Sequence, residues 1–95
     1  MLKIYRITGR SLEPDYREGD FVVISKIPFY FRGARPGDVV AFHKAPYGLL
    51  IKRVEYITPA GDLFVLGNHA ASTDSLQFGP VRPQDILGKV IGHVK

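Results

Sequence analysis

Cysteine is missing from the sequence. Its absence removes disulfide frameworks, zinc ribbons and thiol catalysis together, and leaves the redox compartment open. Long apolar runs are missing too: nothing reaches the ~18 residues of a membrane helix. The greasiest stretch, Phe21 to Phe31, is interrupted by Lys26 and Pro28, which suits a strand followed by a loop. No charged, apolar, small-residue series of the secretory kind opens the chain. These absences predict a cytoplasmic protein, unless an anchor precedes Met1. A concentrated basic surface is also lacking. The formal charge is +4, but the thirteen Lys and Arg run from Lys3 to Lys95 with no block, RNP-like aromatic pattern or helix-turn-helix pattern. No nucleic-acid partner is expected. Nor does a 3.6-residue apolar period survive beyond about two turns.

What remains is a chain of short strands. The 95 residues suffice for one domain with a modest core, and the expected boundary is 1–95. Ten glycines and seven prolines punctuate it, with turn signals at 17–20, 35–38, 45–48 and 58–62. Strands are predicted over Lys3–Thr8, Asp20–Lys26, Asp38–His43, Leu49–Ile57, Leu63–Leu66 and Gly88–Lys95. A single helical turn is predicted within Arg82–Gly88, with proline near its start and glycine at its end. The fold class that follows is all-β, a small partly open barrel or twisted sheet. One connection, Gly67 to Val81, is long and crowded with small polar residues, and such loops are often functional.

Two positions carry the chemistry. Ser11 sits just past a predicted strand end and before Pro14, where a hydroxyl and its own N–H can project into a cleft. An ordinary turn serine looks the same. A serine nucleophile needs a base, and His43, His69 and His93 have no spacing that suggests a triad or a metal site. Lys52 is sharper. On the strand Leu49–Ile57 it shares a face with Leu50, Val54 and Tyr56, as the only charge there. It either snorkels to solvent or is desolvated, which depresses its pKa from ~10.4 and supplies a neutral amine. A shift of three units amounts to about 4 kcal/mol. Arg53 points to the opposite face, beside Ile51 and Glu55, and can stay charged.

Four segments, in order, resemble the boxes of signal peptidase I and its relatives, the Ser–Lys dyad peptidases. Gly9-Arg10-Ser11-Leu12-Glu13-Pro14 is similar to their G-x-S-M-x-P box, and Arg35-Pro36-Gly37-Asp38-Val39-Val40-Ala41-Phe42 to R-x-G-D-V-V-x-F. Ile51-Lys52-Arg53-Val54 resembles the K-R-V box, and Gly67 to Val81 resembles G-D-N … S-x-D-S-R-x-F-G-P-V. The resemblance implies Ser11 as nucleophile and oxyanion donor, Lys52 as general base, Ser72 orienting the amine and Asp74 supporting the loop. It implies that Gly9 contributes close backbone approach. It also implies an extended protein or peptide leader as substrate, paired with backbone at Ile7–Gly9 and Leu50–Ile51. No cofactor and no metal are implied. The dyad then requires Ser11 and Lys52 to lie within roughly 3–4 Å.

The chain departs from the pattern in places. Leu12 stands for methionine, Asp15 for threonine and Leu76 for the arginine that would pair with Asp74. Gly67-Asn68-His69 lacks the acid of G-D-N, and the segment up to Ser72 is one residue short. Among anchorless relatives the chain most resembles the nickel-superoxide-dismutase maturation peptidases, whose loop also reads A-S-T-D-S before F-G-P-V. That implies removal of a short N-terminal extension from a precursor in the cytoplasm. A membrane-surface leader peptidase is the alternative, with contact through Ile27, Phe29, Tyr30 and Phe31. A catalytically inactive β module of the same fold is the other. LexA-like self-cleaving repressors use the same dyad but need a scissile segment upstream, and only ten residues precede Ser11.

Overall fold

The computed structural model describes residues 2–8, 12–68 and 73–95, with backbone alone at 30 and 31. Gly9, Ser11, His69 and Ser72 therefore lie outside the described residues. Six antiparallel strands form one sheet in the order β1-β2-β6-β3-β4-β5. They are β1 (Leu2–Arg6), β2 (Phe21–Ser25), β3 (Val39–Lys44), β4 (Gly48–Ile57), β5 (Leu63–Leu66) and β6 (Ile86–Val94). Among the described residues β1 and β5 do not pair with each other, so the sheet is open. The all-β expectation holds.

Side-chain alternation along β3 divides the core. Val39 and Ala41 face one side with Val22, Ile24, Val90, Ile7 and Leu12. Val40 and Phe42 face the other with Val54, Leu63, Val65, Val81 and Ile86. A strand buried on both faces reads as a continuous apolar run, which is what Val39 to Phe42 is. β6 packs so closely on β2 that a Cβ at Gly88 would stand 2.6 Å from Ile24 Cγ2 and 2.9 Å from the Ser25 carbonyl carbon.

Two helices correct the expected layout. After β2 the chain forms α1 (Ile27–Phe31), not a loop. The Ser25 hydroxyl accepts the Ile27 N–H at 3.0 Å, and Pro28 in the first turn lacks the N–H that would go unsatisfied there. The long polar connection contains α2 (Ser75–Phe78). Its signal was Asp74 as N-cap, Gln77 three residues on, and Gly79-Pro80 as the stop. The turn expected at Arg82–Gly88 shrinks to a 3-10 turn at Pro83–Asp85, because Ile86, Leu87 and Gly88 are recruited into β6. Leu63 and Val81 exchange backbone bonds at 2.8 and 2.7 Å, folding α2 back along β5.

Candidate active site

Lys52 sits in the middle of β4 opposite Val40. Its side chain therefore shares the face of Val40, Leu50 and Val54, and it is only 3% exposed. It does not snorkel. Burial drives its pKa below the ordinary lysine value, with the charge of Asp74 partly opposing the shift.

Asp74 is 2% exposed and is held by backbone donors. The Leu76 N–H reaches Oδ1 at 3.0 Å and the Gly67 N–H reaches Oδ2 at 3.2 Å. Leu76 itself is 73% exposed. Next to it, the buried Ser75 hydroxyl accepts the Val65 N–H at 2.9 Å. One end of the polar loop is thus pinned to β5, and its carboxylate acts on the lysine. The Lys52–Asp74 pair is not among the salt bridges of the described residues, so the attraction acts at longer range than a contact pair.

The described residues on either side of the candidate nucleophile are also anchored. The Ile7 N–H donates to the Asp20 carbonyl at 2.7 Å, and the Ile7 carbonyl accepts the Gly19 N–H at 2.9 Å. The Ile7 backbone is thus paired within the chain, and its side chain lies in the core. Beyond Ser11, Leu12 is buried and its carbonyl accepts the Tyr16 N–H at 3.0 Å. His93 contacts Asp20 at 2.7 Å and packs against the Tyr16 ring. His93 thus braces a turn. His43 lies on β3 opposite Leu49, and no cluster of three potential metal ligands occurs among the described residues.

Leu50 and Ile51 differ in a way that bears on substrate. The Val54 N–H donates to the Asp38 carbonyl at 2.8 Å, so by alternation the backbone of Lys52 and Leu50 also faces β3. Leu50 pairs with Phe42. Ile51 faces the other way, and the described β5 pairing ends at Arg53–Leu66. Beside the lysine, β4 is therefore an edge among the described residues, open to an extended strand at Ile51.

Sequence reasoning missed the role of Arg53. Its guanidinium donates to Asn68 Oδ1 at 2.7 Å and to Asp15 Oδ2 at 2.9 Å. The Asn68 amide then donates to the Glu13 carbonyl at 3.0 Å. The signal was present, since Asp15 and Asn68 are both departures from the box pattern. The expected membrane segment also divides: Ile27 is exposed, whereas Phe29 packs onto the Val40–Phe42 core. Phe29 lines an apolar cavity of about 280 Å³ with Ala34, Ile57, Leu63, Pro83 and Ile86, at the far end of β4 from Lys52.

Residues 1–55 match the family described as signal peptidase, peptidase S26. That stretch contains both Ser11 and Lys52. The chain is also similar to signal peptidase I V of Bacillus subtilis (strain 168), at 23% identity over 137 aligned positions, covering 90% of this chain and 82% of that protein. No helix among the described residues is long and apolar enough to cross a membrane.

Proposed function

This chain belongs to the signal peptidase family, peptidase S26, and on that premise we propose that it cleaves leader segments with Ser11 as nucleophile and Lys52 as general base. Membership makes it a serine peptidase acting on protein or peptide substrates. The observation that supports the dyad is the burial of Lys52 on an apolar face, where its pKa is lowered. A charged ammonium there is costly, and a neutral amine is a base.

In this mechanism the Lys52 amine takes the Ser11 proton as Oγ attacks the scissile carbonyl. The oxyanion is held by the Ser11 N–H, with Gly9 allowing close approach. Collapse breaks the C–N bond, and the lysine ammonium returns its proton to the leaving amine. Lys52, neutral again, then takes a proton from water, which attacks the acyl ester and releases Ser11. Ser72 orients the amine, and Asp74 holds the loop and tempers the loss of charge. The leader lies extended on the open edge at Ile51.

The finer substrate proposal is the N-terminal extension of a nickel-type superoxide dismutase precursor, in the cytoplasm. Its support is the loop reading Ala71-Ser72-Thr73-Asp74-Ser75 before Phe78-Gly79-Pro80-Val81. A second reading, a leader peptidase at a membrane surface, is favoured by a different observation. Leu2, Ile4, Phe21 and Val94 are exposed, and strand register places them on one face of β1, β2 and β6. The test incubates wild type and Ser11→Ala with candidate precursors and identifies new N-termini by mass spectrometry. Cleavage by wild type alone is the expected result. Cleavage that persists in Ser11→Ala would defeat the dyad. Co-sedimentation with anionic vesicles separates the two substrate readings.

A further inference from the structure

We propose that Asp15 is a positioning residue, which fixes the turn after the nucleophile to the strand of the base through Arg53. This inference rests on the Ser11–Lys52 reading. Arg53 directly follows Lys52, Asp15 lies four residues after Ser11, and Asn68 adjoins Gly67, whose N–H holds Asp74. One guanidinium therefore draws on all three segments that carry the proposed machinery. It donates to Asp15 and to Asn68, and Asn68 closes the ring by donating to the Glu13 carbonyl. The Tyr16 hydroxyl feels both the Arg53 and the Asp15 charge.

The arrangement differs from an isolated surface pair in being closed. An acid at Asn68 would draw Arg53 toward the polar loop only, and a carboxylate cannot donate to the Glu13 carbonyl. With the acid at Asp15 and an amide at Asn68, the guanidinium holds the turn directly at Asp15 and, through the Asn68 amide, at Glu13. The two partners of the ion pair are 31% and 55% exposed, so the tie contributes little to global stability. Its consequence is geometric, and misplacement by about 1 Å can cost on the order of a hundredfold in rate.

The test pairs amide hydrogen exchange with kinetics on intact wild type, Asp15→Asn, the double variant Asp15→Asn/Asn68→Asp and the charge swap Asp15→Arg/Arg53→Asp. In Asp15→Asn the Tyr16 amide, held by the Leu12 carbonyl, is expected to exchange about tenfold faster while β6 amides are unchanged. kcat is expected to fall about tenfold with KM within twofold, and Tm to stay within about 2 °C. The charge swap is expected to recover at least a third of kcat, and the double variant none. Unchanged Tyr16 exchange in Asp15→Asn overturns the tie, whether or not the protein cleaves anything. Faster exchange with unaltered kcat, or a Tm that falls in step with kcat, overturns the positioning role. A wild type without Ser11-dependent cleavage removes the peptidase reading and the role together, and the exchange data still report the tie.

Discussion

The buried carboxylate of Asp74 is the charge that opposes the desolvation of the buried Lys52 amine. The two effects have opposite signs. Burial favours the neutral amine and Asp74 favours the ammonium. Burial is the larger, so the lysine pKa is lowered in spite of the acid. Asp74 meanwhile caps α2 and accepts the Gly67 N–H, so its place is set by the backbone and not by the lysine.

Replacing Lys52 with methionine is expected to abolish cleavage and leave Tm unchanged or higher. The volume is similar, and a buried group that resists charging is removed. The sign follows from linkage. Because the folded pKa lies below the unfolded value, the unfolded chain binds more protons between the two, and wild-type stability rises with pH across that window. Any gain from Lys52→Met is therefore largest below the folded pKa and disappears by about pH 10.5. Thermal melts at several pH values check this, and a clear loss of stability would make the lysine structural.

Asp74→Asn keeps a capping oxygen but loses the charge. With that charge gone, the Lys52 pKa falls further. The acidic limb of kcat/KM, which reports the free enzyme's base, is expected to move to lower pH. A shift to higher pH would contradict the assignment.

Asp38 anchors the turn that leads into β3. Burial works to raise its pKa, but Arg32, the Arg35 N–H and Lys89 outweigh it and hold the group below the ordinary carboxylate value. Arg32 and Lys89 approach to 3.1 and 3.3 Å. The stabilisation is fully present above about pH 4 and is lost as pH falls through the lowered folded pKa. Asp38→Asn is expected to cost about 2–3 kcal/mol at pH 7, by urea unfolding, and less at pH 3.

Gly88→Ala puts a methyl group against Ile24 Cγ2 and the Ser25 backbone. Backbone cannot yield as a side chain end can, so a loss of roughly 1–3 kcal/mol is expected, or about 4–8 °C in Tm per kcal/mol for a domain of this size. Differential scanning calorimetry reads it directly.

Vesicle co-sedimentation bears on the face of Leu2, Ile4, Phe21 and Val94. If it is a membrane surface, Ile4→Glu should reduce binding to anionic vesicles at least fivefold, since a charge is costly to desolvate. The same substitution should leave cleavage of a short soluble peptide unchanged. Equal binding by both proteins would reject that surface.

The strands were legible because their cause is local: β-branched and aromatic residues alternate with polar ones, and Gly and Pro end each run. The isolation of Lys52 was legible for the same reason, since alternation assigns faces without knowing what covers them. α1 is not legible because its apolar residues continue those of β2, and only the Ser25 hydroxyl on the Ile27 N–H and Pro28 mark the change. The backbone donors that hold Asp74 were not legible. The Gly67 N–H comes near it where Leu63 pairs with Val81 and the Val65 N–H donates to Ser75.

Ser11 and Lys52 stand out by residue type, strand alternation and box order, all of which lie along the chain. Whether the lysine amine is desolvated depended on residues far away in sequence, Val40 opposite it and Asp74 beyond β5. The tie through Arg53 spans 38 residues to Asp15 and 15 to Asn68. Periodicity along the sequence assigns a side chain to a face. Dielectric and partner are properties of what folds onto that face, and those only the tertiary structure decided.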